Sequence, residues 1–189
     1  MKVKYLDLKN KRVFISGGGS GIGSTIVEHF CEQNSEVYFI DINIKASKKL
    51  IKNIKKKKLR TPNFIECNIL DVKKLQNIIK EIINKKGPIH CLINSAANDD
   101  RHTTEQVDEK YWENRMGINL KHYFFAAQAV VKGMKKIKTG SIVNLSSVSW
   151  MLGEGDKVVY ETAKSAVIGL TRSFAQEFGK YNIRTNSVM

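Results

Sequence analysis

RVFISGGGSGIGSTIVEHFCEQ, residues 12–33, is the stretch that decides the fold. Arg12–Ser16 is a short apolar run, as expected of a buried strand. Residues 17–23 are rich in glycine, and Ser24–Gln33 has the spacing of an amphipathic helix. A strand, a glycine turn and a helix start in that order make a pyrophosphate site. Glycine lets the backbone approach a ligand, and the free N–H groups and dipole of the helix end face its phosphates. The spacing is Gly17-x-x-x-Gly21-x-Gly23, with Ser16 before it and Ser20 and Ile22 inside it, rather than GxGxxG.

The same alternation continues outward. Glu36–Ile40 reads as a second strand closed by Asp41. A carboxylate about twenty residues past such a turn accepts hydrogen bonds from the adenosine ribose and repels a 2′-phosphate. No Lys or Arg lies within the turn, so the expected cofactor is NAD rather than NADP, although Lys45 is close by. Residues 44–58 form a lysine-rich helix, and Thr61-Pro62 ends it. Asn63–Cys67 is a third strand, with Asn68 and Ile69 at its C-terminal end. Asp71 caps a third helix carrying Leu75, Ile78, Ile79 and Ile82, which ends at Gly87-Pro88. Ile89–Ile93 is a fourth strand running into NSAAN, residues 94–98. Helices follow over Glu109–Lys121, where Asn119 interrupts the apolar face, and over Phe124–Met134. A strand over Ser141–Leu145, a helix ending at a Gly179 cap and a strand from Asn182 complete the pattern. The fold class is α/β: a Rossmann-like, doubly wound parallel sheet with helices on both faces, one domain over residues 1–189.

GSIVNLSSVSW (140–150) and VVYETAK (158–164) carry the chemistry. Tyr160 and Lys164 are four residues apart and share a helix face. Ser147 follows the fifth strand near its C-terminal end, where ligands sit in open α/β sheets. A free phenol titrates near pH ~10, and a neighbouring ammonium favours its ionised form. Tyr160 can then take the proton of a substrate alcohol, with Ser147 holding the same oxygen.

Composition excludes several classes. No apolar run is long enough to span a bilayer, and the start is polar, without a signal-peptide core. Cys31, Cys67 and Cys91 are odd in number and scattered, and neither they nor the four histidines have metal spacing, which points to a reduced cytoplasm and no metal. The net charge of +14 raises a nucleic-acid reading. Yet residues 45–86 hold fourteen Lys or Arg against three acids, interleaved with Leu50, Ile51 and Ile54 as a solvated helix face, with no aromatics for base stacking. Specific nucleic-acid binding is not expected.

Together these pieces resemble the short-chain dehydrogenase/reductase family over essentially the whole chain. SGGGSGIG (16–23) looks like its TGxxxGIG cofactor turn, and CNILD (67–71) like its CDVTD adenine segment, with Asn68 in place of the usual Asp. NSAA (94–97) looks like NNAG, which steadies the central sheet and implies Asn94 and Ala96 beside the cofactor. The resemblance implies a catalytic set of Asn119, Ser147, Tyr160 and Lys164. In it Lys164 also binds the nicotinamide ribose, and Asn119 holds a water that links Lys164 to solvent. NSAANDDRH (94–102), NLKHYFFAAQAV (119–130) and NLSSVSWMLG (144–153) look more narrowly like the bacterial aldose 1-dehydrogenases of that family. That likeness implies a sugar site lined by Asn98, Arg101, His102 and Trp150, with Ser147 and Tyr160, and a homo-oligomer, tetramer or dimer. Family members continue past the sixth strand with a Pro-Gly turn, a substrate-covering helix and a seventh strand. The sequence ends at Met189, which implies a fold lacking the usual last helix and strand, with an open pocket and an exposed edge. The residues are also compatible with an NAD-binding but catalytically impaired protein, and with a ketone or 3-oxoacyl-type reductase.

Overall fold

The computed structural model describes residues 3–189. Six strands, β1 (Arg12–Ser16), β2 (Glu36–Asp41), β3 (Asn63–Glu66), β4 (Cys91–Asn94), β5 (Gly140–Leu145) and β6 (Ile183–Val188), form one sheet in the order β3-β2-β1-β4-β5-β6. Every pairing is parallel. The chain winds outward from β1 to β3, returns to β4 and then winds the other way. The loops after β1 and β4 therefore diverge and leave a crevice between them. This is the doubly wound sheet expected from the sequence.

α1 (Gly21–Glu32) and α2 (Ile44–Lys56) cover one face. There Val27, Cys31 and Ile54 pack on Val13, Ile15, Val37, Phe39 and Ile93. α3 (Val72–Lys86), α4 (Glu109–Met116), α5 (His122–Ile137) and α7 (Val158–Phe178) cover the other. Their apolar residues, among them Leu75, Ile79, Val130 and Phe174, pack on Phe14, Tyr38, Ile40, Leu92 and Ile142. Burial on both faces explains why the central strands read as continuous apolar runs. β6 is different: Ile183 and Thr185 are buried, while Arg184 and Asn186, which register beside Ser141 and Val143, are exposed. Among the described residues no helix covers that half of the α1–α2 face.

Four local features depart from expectation. α1 begins at Gly21 rather than Ser24, so its first turn lies inside the glycine cluster. The two helices expected over Glu109–Met134 are one continuous rod in which Gly117–Lys121 is a π-helical segment. Such an insertion disturbs the regular helical ladder and is common at functional sites. The loop after β5 contains a short helix, α6 (Ser149–Leu152), closed by Gly153 at φ 67°. Gly179 stays right-handed, the chain tightens into a 3₁₀ turn, and Asn182 takes the left-handed position at φ 59°. No helix among the described residues is long and apolar enough to cross a membrane.

Candidate active site

A cleft of about 660 Å³ opens at the C-terminal ends of the strands. One end is the glycine turn. Gly17 lies so close to Ala96 that a Cβ would sit 2.6 Å from its Cα, and a Cβ on Gly23 would lie 1.9 Å from the Gly17 carbonyl oxygen. At Gly21 (φ +51°) a Cβ would meet nothing within 4 Å, because that position faces the cleft. Ser20 caps α1 without a side-chain bond, which leaves the N–H groups of the first turn available to a ligand. Gly17, Ser20, Gly21, Ile22 and Gly23 all line the cleft. Asp41 stands on its rim, its Oδ2 accepting the Gly19 N–H and its Oδ1 the Asn43 N–H, each at 2.8 Å. Asn68, Ile69 and Ala96 line the same space. Asn68 Oδ1 accepts the Leu70 N–H at 3.0 Å, so its NH₂ group is the donor left for a ligand.

Tyr160 and Lys164 line the other end. Burial holds the Tyr160 phenol above its usual value of 10; the nearby Ser147 hydroxyl, whose oxygen also meets Ser149 Oγ at 2.9 Å, works the other way by favouring the ionised form. Asp99 and Glu154 push it further up, and Lys157 pulls it down. Lys164 is 1% exposed. Burial lowers its ammonium from 10.5 to about 8, against the favourable field of Asp99. The lowered phenol expected from a neighbouring ammonium is therefore not present: desolvation wins over charge pairing. The Lys164 Nζ lies 5.5 Å from the Tyr160 ring centroid and donates elsewhere, to the Leu145 carbonyl at 2.7 Å and the Tyr123 hydroxyl at 2.9 Å.

Several residues expected in the site do other things. Asn94 is fully buried and does not reach the cleft. It donates to Asn144 Oδ1 at 2.9 Å, and Asn144 donates to Thr171 at 3.0 Å, tying β4 and β5 to α7. The Asn119 amide meets the Asn98 backbone, accepting its N–H and donating to its carbonyl, both at 2.9 Å. Asn119 thus fixes the loop after β4, and its side chain makes no direct hydrogen bond to Lys164. Arg101 pairs with Asp156 and is 63% exposed. His102 is buried and braces that loop against α7: its Nε2 accepts the Val159 N–H at 3.3 Å, and its Nδ1 meets the Tyr111 hydroxyl at 2.9 Å. Trp150 lies on α6, with its Nε1 buried and unpartnered among the described residues. Arg101, His102 and Trp150 do not line the cleft, because ion pairing and packing hold them outside it; Asn98 does.

Sequence reasoning passed over Asp99 and Tyr123. Asp99 lines the cleft and makes no hydrogen bond or ion pair among the described residues, unlike Asp100, which pairs with Arg115 at 2.7 Å. Its signal was weak, one acid inside an acid–base run. Tyr123 was findable as a polar aromatic one turn past Asn119.

A glycine cradle and the Tyr160–Lys164 pair thus share one cleft, with Ser147 beside the phenol, and the short chain dehydrogenase family matches residues 11–189. The chain belongs to that family. It is 40% identical over 185 residues to a D-xylose 1-dehydrogenase of Caulobacter vibrioides, covering 98% of this chain and 73% of that one. It is 38% identical over 186 residues to a Rhizobium meliloti protein named "Probable galactose dehydrogenase", with coverage of 98% and 73%. Among solved structures, an aldohexose dehydrogenase of Thermoplasma acidophilum superposes with a TM-score of 0.85 at 28% identity, over 97% of this chain and 67% of that one. Dehydrogenases of the family use NAD(P), and the cradle at Gly17–Gly23 fits a pyrophosphate. Gly23→Ala is expected to weaken NAD(P) binding at least roughly tenfold and to lower stability by about 1–3 kcal/mol through overpacking. Unchanged affinity by calorimetry would remove the turn from the cofactor site.

Proposed function

We propose that the protein is an NAD-dependent dehydrogenase oxidising an aldose at its anomeric hydroxyl to the lactone, with Tyr160 as general base. The reading is supported by Tyr160 and Lys164, which line the cleft that the glycine turn closes, with the Ser147 hydroxyl beside the phenol. The names of the sugar-dehydrogenase relatives support the substrate class. When bound, the nicotinamide supplies the hydride acceptor. Ser147 and Tyr160 hold the substrate oxygen, the phenolate takes the hydroxyl proton, and hydride leaves the same carbon. Lys164, with one donor free toward the cleft, favours phenolate and binds the ribose. Asn98 lines the cleft beside them and suits sugar hydroxyls. The described chain is proposed to act as one NAD-binding unit, assembled as a homo-oligomer.

Asp41 supports NAD over NADP. Two backbone N–H groups orient its carboxylate, which keeps lone pairs for ribose hydroxyls and repels a 2′-phosphate. Asp41→Ala is expected to lower the NAD-over-NADP ratio of kcat/KM by roughly ten- to hundredfold, the worth of a hydrogen bond to a charged group. An unchanged ratio would exclude Asp41 from cofactor choice. The function itself is tested by absorbance of reduced nicotinamide with NAD or NADP against xylose, galactose, arabinose, fucose, glucose and simple alcohols. Turnover on an aldose with NAD is the expected result. Cofactor binding with no turnover on any of them would favour a binding protein without catalysis.

A further inference from the structure

Lys164 is the most deeply buried charge of the site, and its surroundings come from three elements. From α5, the Tyr123 hydroxyl accepts from Nζ at 2.9 Å. From the end of β5, the Leu145 carbonyl accepts at 2.7 Å. The Tyr123 hydroxyl in turn donates to the same carbonyl at 2.9 Å, closing a three-membered ring of hydrogen bonds. Tyr123 is 0% exposed, and its ring packs edge-on against His122 with centroids 4.4 Å apart. His122 is tied to Ser16, beside the glycine turn, at 3.3 Å.

An ammonium has three donors. Two are fixed here on acceptors behind the site, so one points where a ligand can meet it. The Leu145 carbonyl belongs to the sheet and cannot adjust. Tyr123 is the only side chain among the described residues that hydrogen-bonds this ammonium, so it decides the direction of the remaining donor. We infer that Tyr123 is a positioning residue of the catalytic centre, holding the Lys164 ammonium through its hydroxyl so that one donor is presented to the cleft beside Tyr160. This rests on the dehydrogenase reading only for its catalytic consequence.

The titratable groups around Lys164 are Tyr160 on α7, Tyr123 and His122 on α5, and Asp99 from the loop after β4. Burial, helped by Lys164, lowers His122 to about 3, so it stays neutral in the working range. Asp99 favours the ammonium. Removing the Tyr123 hydroxyl takes away an acceptor of the charged form, so the Lys164 midpoint must fall.

The test uses Tyr123→Phe, which keeps the ring packing, with lysine labelled at Cε and followed by NMR against pH. The unsubstituted protein should show one lysine titrating near about 8. Tyr123→Phe should lower that midpoint by about one pH unit, a tenfold change in charged fraction. It should also lower kcat roughly tenfold at pH 8 and move the alkaline limb of the rate profile to lower pH. Tyr123→Gln, which restores an acceptor, should recover part of the shift, and it carries the test should the Phe variant fail to fold. A folded Phe variant with an unchanged lysine midpoint overturns the inference. A shifted midpoint in a protein that oxidises no alcohol upholds the positioning and overturns the dehydrogenase reading instead.

Discussion

Tyr160→Phe is expected to lower turnover by roughly 10²–10⁴-fold, the usual worth of a positioned general base, while cofactor affinity changes little. The substitution removes one oxygen and keeps the ring, which lies 5.9 Å from the Lys157 Nζ and 5.5 Å from the Lys164 Nζ. The glycine turn is at the other end of the cleft and is not disturbed. Since burial raises the phenol, its base form is scarce at neutral pH, and kcat/KM for oxidation should climb as pH rises from neutral. Above about 8, loss of the Lys164 charge opposes that rise. Initial rates with calorimetric NAD binding check this. A Phe variant retaining most of its rate would remove Tyr160 from the mechanism.

Lys164→Met should lower turnover by a similar factor and yet raise thermal stability. Lys164 is 1% exposed, and a fall from 10.5 to about 8 means that burying the charge costs on the order of 3 kcal/mol at neutral pH. Methionine is flexible, has a similar length and brings no charge to desolvate. Its introduction leaves no orphan, because the Tyr123 hydroxyl still donates to the Leu145 carbonyl. For a chain of this size the gain amounts to several degrees in Tm. The sign with pH is fixed. Below about 8 both the folded and the unfolded chain carry the proton, and the full cost applies. Between about 8 and 10.5 the unfolded chain holds a proton that the folded chain has released, so native stability rises with pH. The advantage of the Met variant should therefore be largest below pH 8 and shrink toward 10.5. Melting curves across that range decide it. A lower Tm at pH 7, or an advantage independent of pH, would mean that the hydrogen bonds of Lys164 outweigh its desolvation.

Much of this was legible in the chain itself. The apolar runs at Val13–Ile15, Val37–Ile40 and Leu92–Ile93 are buried strands because both faces of a parallel sheet are covered. The lysines of α2 lie around the buried Ser47 and Ile54, a solvated face as the pattern implied. The glycine turn and the Tyr160–Lys164 pair followed from spacing. The expectations for Asn94, Arg101, His102 and Trp150 were not met in the cleft. Their residue types suit a polar site, but type does not say which neighbour a side chain meets first.

The sequence alone therefore determined the element order, the parallel winding, the glycine turn and the helix face carrying Tyr160 and Lys164, since these depend on local periodicity and backbone freedom. Tertiary structure decided the rest. Lys164 meets Tyr123 across 41 residues, and His102 meets Val159 across 57. Asn119 reaches the Asn98 backbone from within a π-helical segment. The raised phenol and lowered ammonium come from burial among side chains distant in sequence. Desolvation and hydrogen-bond partnership depend on the packed surroundings of a group, which no local spacing records.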